Sequence, residues 1–284
     1  MEDNLNRIYG TQMTDSEFNQ LSSFIYQEYG IKMPPAKKVM LQSRLQKRLR
    51  ELNILTFRDY IKFLFSDKGQ SDELIHMIDV VSTNKTDFFR EPSHFEFMKN
   101  DLLPEWHTHK MIRYPMKIWS AGCSSGEEPY TMAIVLSEFQ LHNPGFDFSI
   151  WGSDISSRML FKAADAIYAD ERIIGIPLDI KKRYFLKSKD PNVKTVRIIP
   201  QLRSKVNFCR LNFMDNYYEI QETFDIVFCR NVLIYFDRQT QEKVIAKLCS
   251  KLRVGGVFFL GHSESILNMN LPLQQIKPTI FKRI

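Results

Sequence analysis

Two glycines and two glutamates lie together in the segment 117–130, KIWSAGCSSGEEPY. An apolar stretch precedes Gly122 and Gly126, and a helix-like run follows Glu127 and Glu128. Strand, glycine turn and helix bind nucleotides in α/β folds, because glycine lets the backbone approach a ligand. No lysine follows the second glycine, which argues against a Walker-type phosphate loop. Two carboxylates at the positive end of a helix repel pyrophosphate and attract a cation, which favours a nucleoside with a sulfonium group, such as S-adenosylmethionine.

A second candidate is Asp154, at the end of the apolar segment 146–154 that predicts the next strand. An acidic residue at the end of the second strand holds ribose hydroxyls in many α/β nucleotide-binding proteins, because a carboxylate offers two acceptor oxygens. The alternative is that Asp154 caps the following helix, a role that Ser156 could also fill. Together with the glycine turn, the pattern favours ribose binding.

Later predicted strands also end in polar or aromatic residues. These are Asn212 and Phe213 after the segment 206–211, and Arg230, Asn231 and Tyr235 after the apolar run 224–229. Ligands of open α/β sheets bind at the carboxyl ends of the strands, so these residues are site candidates by position. His262 and Glu264 follow another predicted strand. Since they lack a nucleophilic partner, we interpret them as polar loop residues.

The elements that precede residue 117 are all predicted to be helical. Thr14 and Glu17 form a capping-box pattern, and Gly30 ends that helix. A second helix from about residue 36 to 52 has six basic residues and no acidic residue between Lys37 and Arg50. This basic face is either a solvated surface or a docking surface for an acidic helix or a phosphate backbone. Ser71 and Ser93 are predicted to cap two further helices.

The segment 81–92 joins the helical part to the strand-rich part. It carries Asn84, Thr86 and Arg90 beside Phe88 and Phe89. One interpretation is a linker that its two phenylalanines anchor. The other places Arg90 near a substrate carboxylate, whose geometry a guanidinium matches.

Composition is that of a globular protein with one or two domains: 284 residues, 44% hydrophobic, net charge +6. The first residues contain no apolar core of a signal peptide, and no apolar run reaches the roughly 18 residues that span a bilayer. The four cysteines are widely spaced and form no C-x-x-C pair, so we expect reduced thiols and no metal site. These features predict a cytoplasmic protein.

Several motifs in combination resemble one family, the CheR-type chemotaxis receptor glutamate O-methyltransferases. They are TNKTDFFRE at 83–91, WSAGCSSGEEPY at 119–130, SDI at 153–155, FDIVFCRNVLIYF at 224–236 and GHSE at 261–264. The resemblance implies a Rossmann-like class I methyltransferase sheet with a small β-subdomain inserted at about 180–206. It implies an all-α N-terminal domain, residues 1–85, for substrate docking, followed by a catalytic domain, residues 86–284. The segment 187–192 has no glycine, unlike the loop that grips a receptor peptide in some members, so we expect no such tether.

The resemblance also implies roles for individual residues. The S-adenosylmethionine pocket would comprise Asn84, Thr86, Arg90, Glu128, Asp154, Asn212, Phe213, Arg230 and Asn231. Arg90 and Tyr235 would lie near the transferred methyl group, and S-adenosylhomocysteine would be the product. The basic residues Arg44, Lys47, Arg48 and Arg50 would face the acidic cytoplasmic helices of a methyl-accepting chemoreceptor. We expect a monomer that neither binds nucleic acid nor inserts into a membrane.

The chemistry of the acceptor is consistent with this set of residues. A glutamate side chain, with a reference pKa of about 4.3, is ionised at neutral pH and can attack a sulfonium methyl group without a general base. The enzyme would then act by alignment and desolvation, with Arg90 positioning the carboxylate and Tyr235 orienting donor or acceptor. Two alternatives are an RNA-modifying methyltransferase with the same cofactor and a signalling module that binds the cofactor without catalysis.

Overall fold

The computed structural model describes residues 10–112 and 114–284. The N-terminal residues on which the expectation of no signal peptide rests lie outside this part of the chain. Within it, no helix combines the length and apolar character that crossing a membrane requires.

The N-terminal part is helical, as predicted. Its helices are α1 (Asp15–Tyr29), α2 (Lys38–Glu51), α3 (Phe57–Leu64) and α4 (Leu74–Val81). The Thr14 side chain accepts a hydrogen bond from the Glu17 backbone, and the Glu17 side chain accepts one from Thr14, so the predicted capping box is confirmed. Gly30 ends α1 with φ +69, in the left-handed conformation that glycine adopts without strain. The helices pack around one apolar core that includes Leu21, Leu41 and Leu45.

Two predicted helix caps are wrong. Ser71 lies inside a π-helical turn, Gly69–Glu73, that leads directly into α4, so its hydroxyl caps no helix there. Helix α5 (Pro92–Phe97) begins one residue before Ser93, because proline is suited to the first helical position, where no N–H is needed. A π-helical turn and α6 (Leu103–Thr108) follow.

The main sheet has seven strands in the order β6-β2-β1-β7-β8-β10-β9. The strands are β1 (Met116–Ala121), β2 (Phe148–Asp154), β6 (Val206–Arg210), β7 (Phe224–Cys229), β8 (Leu252–Leu260), β9 (Leu273–Lys277) and β10 (Ile280–Arg283). The first five in this order are parallel, and β10 and β9 are antiparallel to their neighbours. All six residues of β7 are buried, as its continuous apolar sequence predicts for a central strand. The polar strand β9 was not predicted.

Further helices lie between the strands in chain order. They are α7 (Glu127–His142), α8 (Ser157–Asp165), α9 (Leu178–Tyr184), α10 (Pro200–Arg203) and α11 (Arg238–Lys251). Helix α7 contributes a buried run from Glu127 to Leu136, and α11 buries Val244, Ile245 and Leu248. The expected Rossmann-like sheet preceded by an all-α domain is thereby confirmed.

A second, antiparallel sheet is inserted between α8 and β6. Its strands β3 (Ile167–Ala169), β5 (Thr195–Ile198) and β4 (Phe185–Lys187) pair in that order. This sheet therefore begins before the expected boundary near residue 180, because its first strand follows α8 directly. As predicted, the segment from Val206 returns to the main sheet, where it pairs with β2.

The register of the parallel strands aligns their carboxyl ends. Ala121 of β1 lies opposite Ser153 of β2, and the N–H of Gly122 donates to the Ser153 carbonyl over 2.7 Å. Phe228 of β7 lies opposite Ser120 of β1. The glycine turn, Asp154 and the residues after Cys229 consequently meet at one edge of the sheet.

Candidate cofactor and acceptor site

One cavity lies at this edge, between the sheet and the helical part of the chain. Every residue expected in the cofactor pocket lines it, and so does Tyr235. The helical part contributes walls that sequence reasoning missed, among them Tyr29, Met33 and Lys37. The apolar side chains at the end of α1 and after it carry no chemical signal in the sequence, so only their position in the fold makes them cavity residues.

The glycine turn needs glycine at both positions. Gly122 has φ +88, and a Cβ atom there would collide with Cγ2 of Val232. Gly126 has φ +94, and its Cβ would lie 2.9 Å from that of Ala163 and 3.0 Å from the hydroxyl of Tyr168. Packing within the protein therefore requires glycine at both positions, and Gly122 also lines the cavity, where its backbone can approach a bound nucleoside.

The surroundings of the two glutamates differ from the expectation, because each carboxylate contacts an arginine. Glu128 pairs with Arg230, whose Nε lies 2.7 Å from Oε2, and its other oxygen accepts a hydrogen bond from Ser120 over 2.7 Å. Glu127 is 2% exposed and pairs with Arg172, whose Nη2 lies 2.7 Å from Oε1. Arginines thus balance both carboxylates, and only Glu128 lines the cavity. The two carboxylates therefore do not form the uncompensated negative charge on which the expectation of a cationic ligand relied.

Glu128 takes no part in capping α7. Gly126, not Ser125, is the residue before the first turn of α7, so no capping box links Ser125 to Glu128. The Ser125 hydroxyl instead donates to Oε2 of Glu127 over 2.7 Å. Glu128 is therefore held by its arginine and by Ser120.

Asp154 lines the cavity and also ties the turn to β2. Its Oδ2 accepts a hydrogen bond from the N–H of Ser124 over 2.8 Å, and its Oδ1 accepts one from the N–H of Ser156 over 2.9 Å. Burial raises the pKa of the Asp154 carboxyl, and these backbone donors oppose the shift. The Ser156 hydroxyl caps α8 by accepting from the N–H of Met159, so Asp154 is not needed as the helix cap.

Arg230 lies at the centre of a buried polar network. Its Nη1 donates to the Arg90 carbonyl over 2.9 Å and lies 3.1 Å from Nδ1 of His94. The neighbouring Asn231, with φ +59, donates from its side chain to Oε1 of Glu91 over 3.2 Å. Glu91 and His94 were not predicted as part of the site. Glu91 follows Arg90 directly in the motif 83–91, which is the one signal that could have indicated it.

Glu264 lies in the loop after β8, as interpreted from the sequence, but its side chain is buried. Its two oxygens accept four backbone hydrogen bonds, from Gly261, Asn231, Val232 and Leu233, at 2.8–3.0 Å. Burial raises the pKa of this carboxyl while the four N–H groups oppose the shift. Glu264 therefore holds the turn that follows β7, including Asn231 of the cavity.

Glu91, His94 and His262 place three potential metal-ligand atoms within 4.8 Å of one another. The guanidinium of Arg230 already lies 3.4 Å from Oε2 of Glu91 and 3.1 Å from His94. A second cation at this point would be repelled by Arg230, so the three residues are not assigned to a metal.

The two expected catalytic residues line the cavity from different segments, Arg90 from the linker and Tyr235 from the turn after β7. Arg90 is half-buried and donates from Nη1 to the Lys85 carbonyl over 2.9 Å. Tyr235 is half-buried, and the Nζ of Lys37, from the helical part, lies 5.7 Å from its ring centroid. The N–H of Lys32, also in the helical part, donates to the Tyr235 carbonyl over 2.9 Å. The cavity therefore has one wall in each part of the chain.

The basic helix α2 is only partly available to a partner. Arg48 is 9% exposed and pairs with the buried Glu73 through two hydrogen bonds of 2.9 and 2.6 Å, so its expected place on a docking surface is wrong. Arg44 turns toward the linker and donates to the carbonyl of Ser82 over 2.9 Å. Lys47 is exposed. The periodicity could not reveal these bonds, because their partners lie on other elements.

The fold and the cavity define a class I S-adenosylmethionine-dependent methyltransferase. A parallel sheet carries a glycine turn after β1 and an acidic residue after β2, where this class binds its nucleoside. The donors and acceptors of the cavity fit that cofactor: glycine backbone at the turn, a carboxylate at Asp154, and an arginine-paired carboxylate at Glu128.

Comparison with known proteins narrows the class. Residues 84–281 match the family model "CheR methyltransferase, SAM binding domain", and residues 16–82 match "CheR methyltransferase, all-alpha domain". A chemotaxis protein methyltransferase of Borreliella burgdorferi is 38% identical over 275 residues, which covers 95% of each chain. Chemotaxis protein methyltransferase 2 of Pseudomonas aeruginosa is 33% identical over 96% of each chain. That of Escherichia coli is 35% identical over 90% of this chain and 87% of its own.

The chain belongs to the CheR methyltransferase family. It is an S-adenosylmethionine-dependent methyltransferase of chemotaxis, as its resemblance to that family predicted.

Proposed function

We propose that this enzyme methylates glutamate side chains on the acidic cytoplasmic helices of methyl-accepting chemoreceptors. The products are glutamate methyl esters, which serve chemotactic adaptation, and S-adenosylhomocysteine. The observation that carries the proposal is the convergence of ten residues, from the linker and four strand ends, on one cavity bounded by the helical part. We propose residues 1–85 as the substrate-docking domain and residues 86–284 as the catalytic domain that holds the cofactor. An acceptor that docks on the first domain can then reach the cofactor in the second.

We place the nucleoside end of the cofactor along the edge formed by β2 and β6. Asp154 would accept hydrogen bonds from the ribose, and Asn212 and Phe213 would hold the base. The carboxamide of Asn212 donates to the Glu28 carbonyl over 2.8 Å, which fixes its orientation. The methionine end would lie toward Asn84, Thr86, Glu128, Arg230 and Asn231, nearer the linker and β7.

Catalysis in this arrangement depends on alignment. The bound cofactor supplies an electrophilic methyl group on a sulfonium sulfur. One acceptor carboxylate oxygen forms a bond to the methyl carbon as the carbon–sulfur bond breaks, so one negative and one positive charge cancel and no proton moves. Arg90 would hold the second carboxylate oxygen, and Tyr235 would restrict the approach from the opposite wall. Partial desolvation of the two charges raises their attraction.

The helical part provides the positive surface for an acidic receptor helix. Lys47 is exposed, while Arg44 and Arg50 are half-buried and contact their own chain, Arg50 through the Gln46 carbonyl. Because Arg44 and Arg48 are engaged within the protein, fewer cations remain to grip a phosphate backbone, which favours a protein acceptor over RNA. We also propose that the enzyme acts as a monomer in the cytoplasm.

The test is incubation of the purified enzyme with labelled cofactor and membranes that contain the native chemoreceptors. Base-labile methyl esters on receptor bands are expected. Label in RNA, with binding that weakens steeply as salt rises, would instead support the RNA-modifying alternative. Cofactor binding without any transfer would support the non-catalytic module.

The role of Arg90 is tested by Arg90→Ala. Ester formation at saturating cofactor is expected to fall by about a hundredfold, since a mispositioned acceptor loses much of the advantage of alignment. Arg197→Ala is the matched control: Arg197, in β5 of the inserted sheet, donates to the Asp165 carbonyl at the end of α8 and does not line the cavity. Equal rates for the two variants would refute the role.

A further inference from the structure

Arg172, from the inserted sheet region, contacts two segments that border the cofactor cavity. This residue lies in the 3-10 turn Asp170–Ile173 that follows β3. Its Nη2 lies 2.7 Å from Oε1 of Glu127 and also donates to the Thr86 carbonyl, and its Nη1 lies 3.1 Å from Oδ1 of Asp87. One guanidinium therefore joins the glycine turn of the main sheet to the linker that carries Thr86.

Glu127 needs a cation at this point. Its side chain is 3% exposed and neighbours Glu128, which is itself buried. Arg230 is already engaged by Glu128, and the Ser125 hydroxyl supplies Glu127 with a single neutral hydrogen bond. Without Arg172, the first turn of α7 would hold a buried carboxylate without a countercharge, which is a costly state.

Two further contacts hold the same three segments together. The hydroxyl of Tyr168 in β3 donates to the Ser125 carbonyl over 2.8 Å, immediately before Gly126. The ring of Phe88 in the linker packs edge to face against Tyr168 and Phe185 of the inserted sheet, with centroid distances of 5.0 and 5.4 Å. The inserted sheet thus forms the outer support of both the glycine turn and the linker.

We propose that Arg172 is a positioning residue for cofactor binding. It holds Thr86 and the start of α7 in the arrangement that accepts S-adenosylmethionine, so the inserted sheet serves the cofactor site in this enzyme. The inference rests on the proposed placement of the cofactor in this cavity. Arg172 does not line the cavity, so its effect must act through Glu127 and Thr86.

The experiment measures the Kd of S-adenosylhomocysteine by calorimetry, together with KM and kcat, for the full chain carrying Arg172→Ala. We expect Kd and KM to rise about tenfold, the equivalent of one charge-assisted hydrogen bond, with kcat at saturating cofactor little changed. Arg172→Lys keeps the positive charge but loses the planar set of guanidinium donors, so its Kd is expected to lie between those of the alanine variant and the wild type. This variant replaces Arg172→Ala in the test if the alanine variant does not fold.

Arg183→Ala is the matched control. Arg183 also belongs to the insertion and also pairs with a glutamate of α7, Glu138, but three turns further along the helix and away from the cavity. Its removal is expected to leave the Kd unchanged. In the double variant Arg172→Ala/Glu127→Gln, loss of the unpaired charge is expected to restore much of the binding, which a general loss of stability would not do.

The outcomes separate this inference from the proposed site. If Asp154→Asn weakens binding while Arg172→Ala matches Arg183→Ala, Arg172 has no positioning role. If Asp154→Asn also leaves the Kd unchanged, the cofactor does not lie in this cavity, and the proposed site fails with the inference.

Discussion

Replacement of Glu264 by glutamine tests whether one buried carboxylate holds the turn that carries Asn231. Glutamine has nearly the same shape, but its NH2 group would face two of the four backbone N–H donors. Hydrogen bonds to a charged group contribute about 1.5 kcal/mol or more each, so the loss of two lowers the unfolding free energy by about 3 kcal/mol. At about 2–4 °C per kcal/mol for a domain of this size, the melting temperature should fall by about 6–12 °C.

Thermal unfolding followed by circular dichroism measures the effect, with cofactor affinity measured well below the transition. Glu242→Gln is the control, because Glu242 accepts a single backbone hydrogen bond, from Asn270, at the surface. We expect the Glu264 variant to bind cofactor more weakly as well, since Asn231 has the left-handed φ of +59 that the turn imposes. Equal melting temperatures for the two variants would refute the reasoning.

Burial, together with Arg230, lowers the pKa of His94 to about 4. Because the unfolded residue titrates near 6.5, the stability of the protein should fall as the pH drops from about 6.5 through 4. His94→Gln should flatten this dependence in thermal unfolding measured across that pH range. Arg48→Ala should lower the unfolding free energy by about 3–5 kcal/mol in denaturant titrations, whereas Lys47→Ala should leave it unchanged and reduce receptor methylation. Gly126→Ala should abolish cofactor binding in calorimetry, whereas Gly145→Ala, with a similar φ and open space, should not.

Local patterns in the sequence account for much of the fold. The apolar run 224–229 predicts a central strand, and the Thr14 capping box predicts the start of α1; both are found. Such patterns are read correctly because strand burial and helix capping depend on residues a few positions apart. The strand β9, with the exposed sequence LQQIK, shows neither alternation nor burial, so only its pairing with β10 makes it a strand.

The candidate site also has features that the sequence could predict and features that it could not. The sequence by itself placed chemically suitable residues after several predicted parallel strands. Parallel strands bring their carboxyl ends to one edge, so the cavity residues at the strand ends could be predicted, whereas the walls from the helical part could not. The sequence also could not show which charges neutralise one another. Glu128 meets Arg230 across 102 positions and Glu127 meets Arg172 across 45.

The same limit applies to the basic helix. Helical periodicity predicted Arg48 on an exposed flank, yet Glu73, 25 positions away, buries it in an ion pair. Ionic contacts between distant residues depend on how the elements pack, and neither residue type nor spacing encodes that packing locally. The sequence therefore determined the cofactor class and the family, while the tertiary structure alone decided which charged groups remain available to cofactor and acceptor.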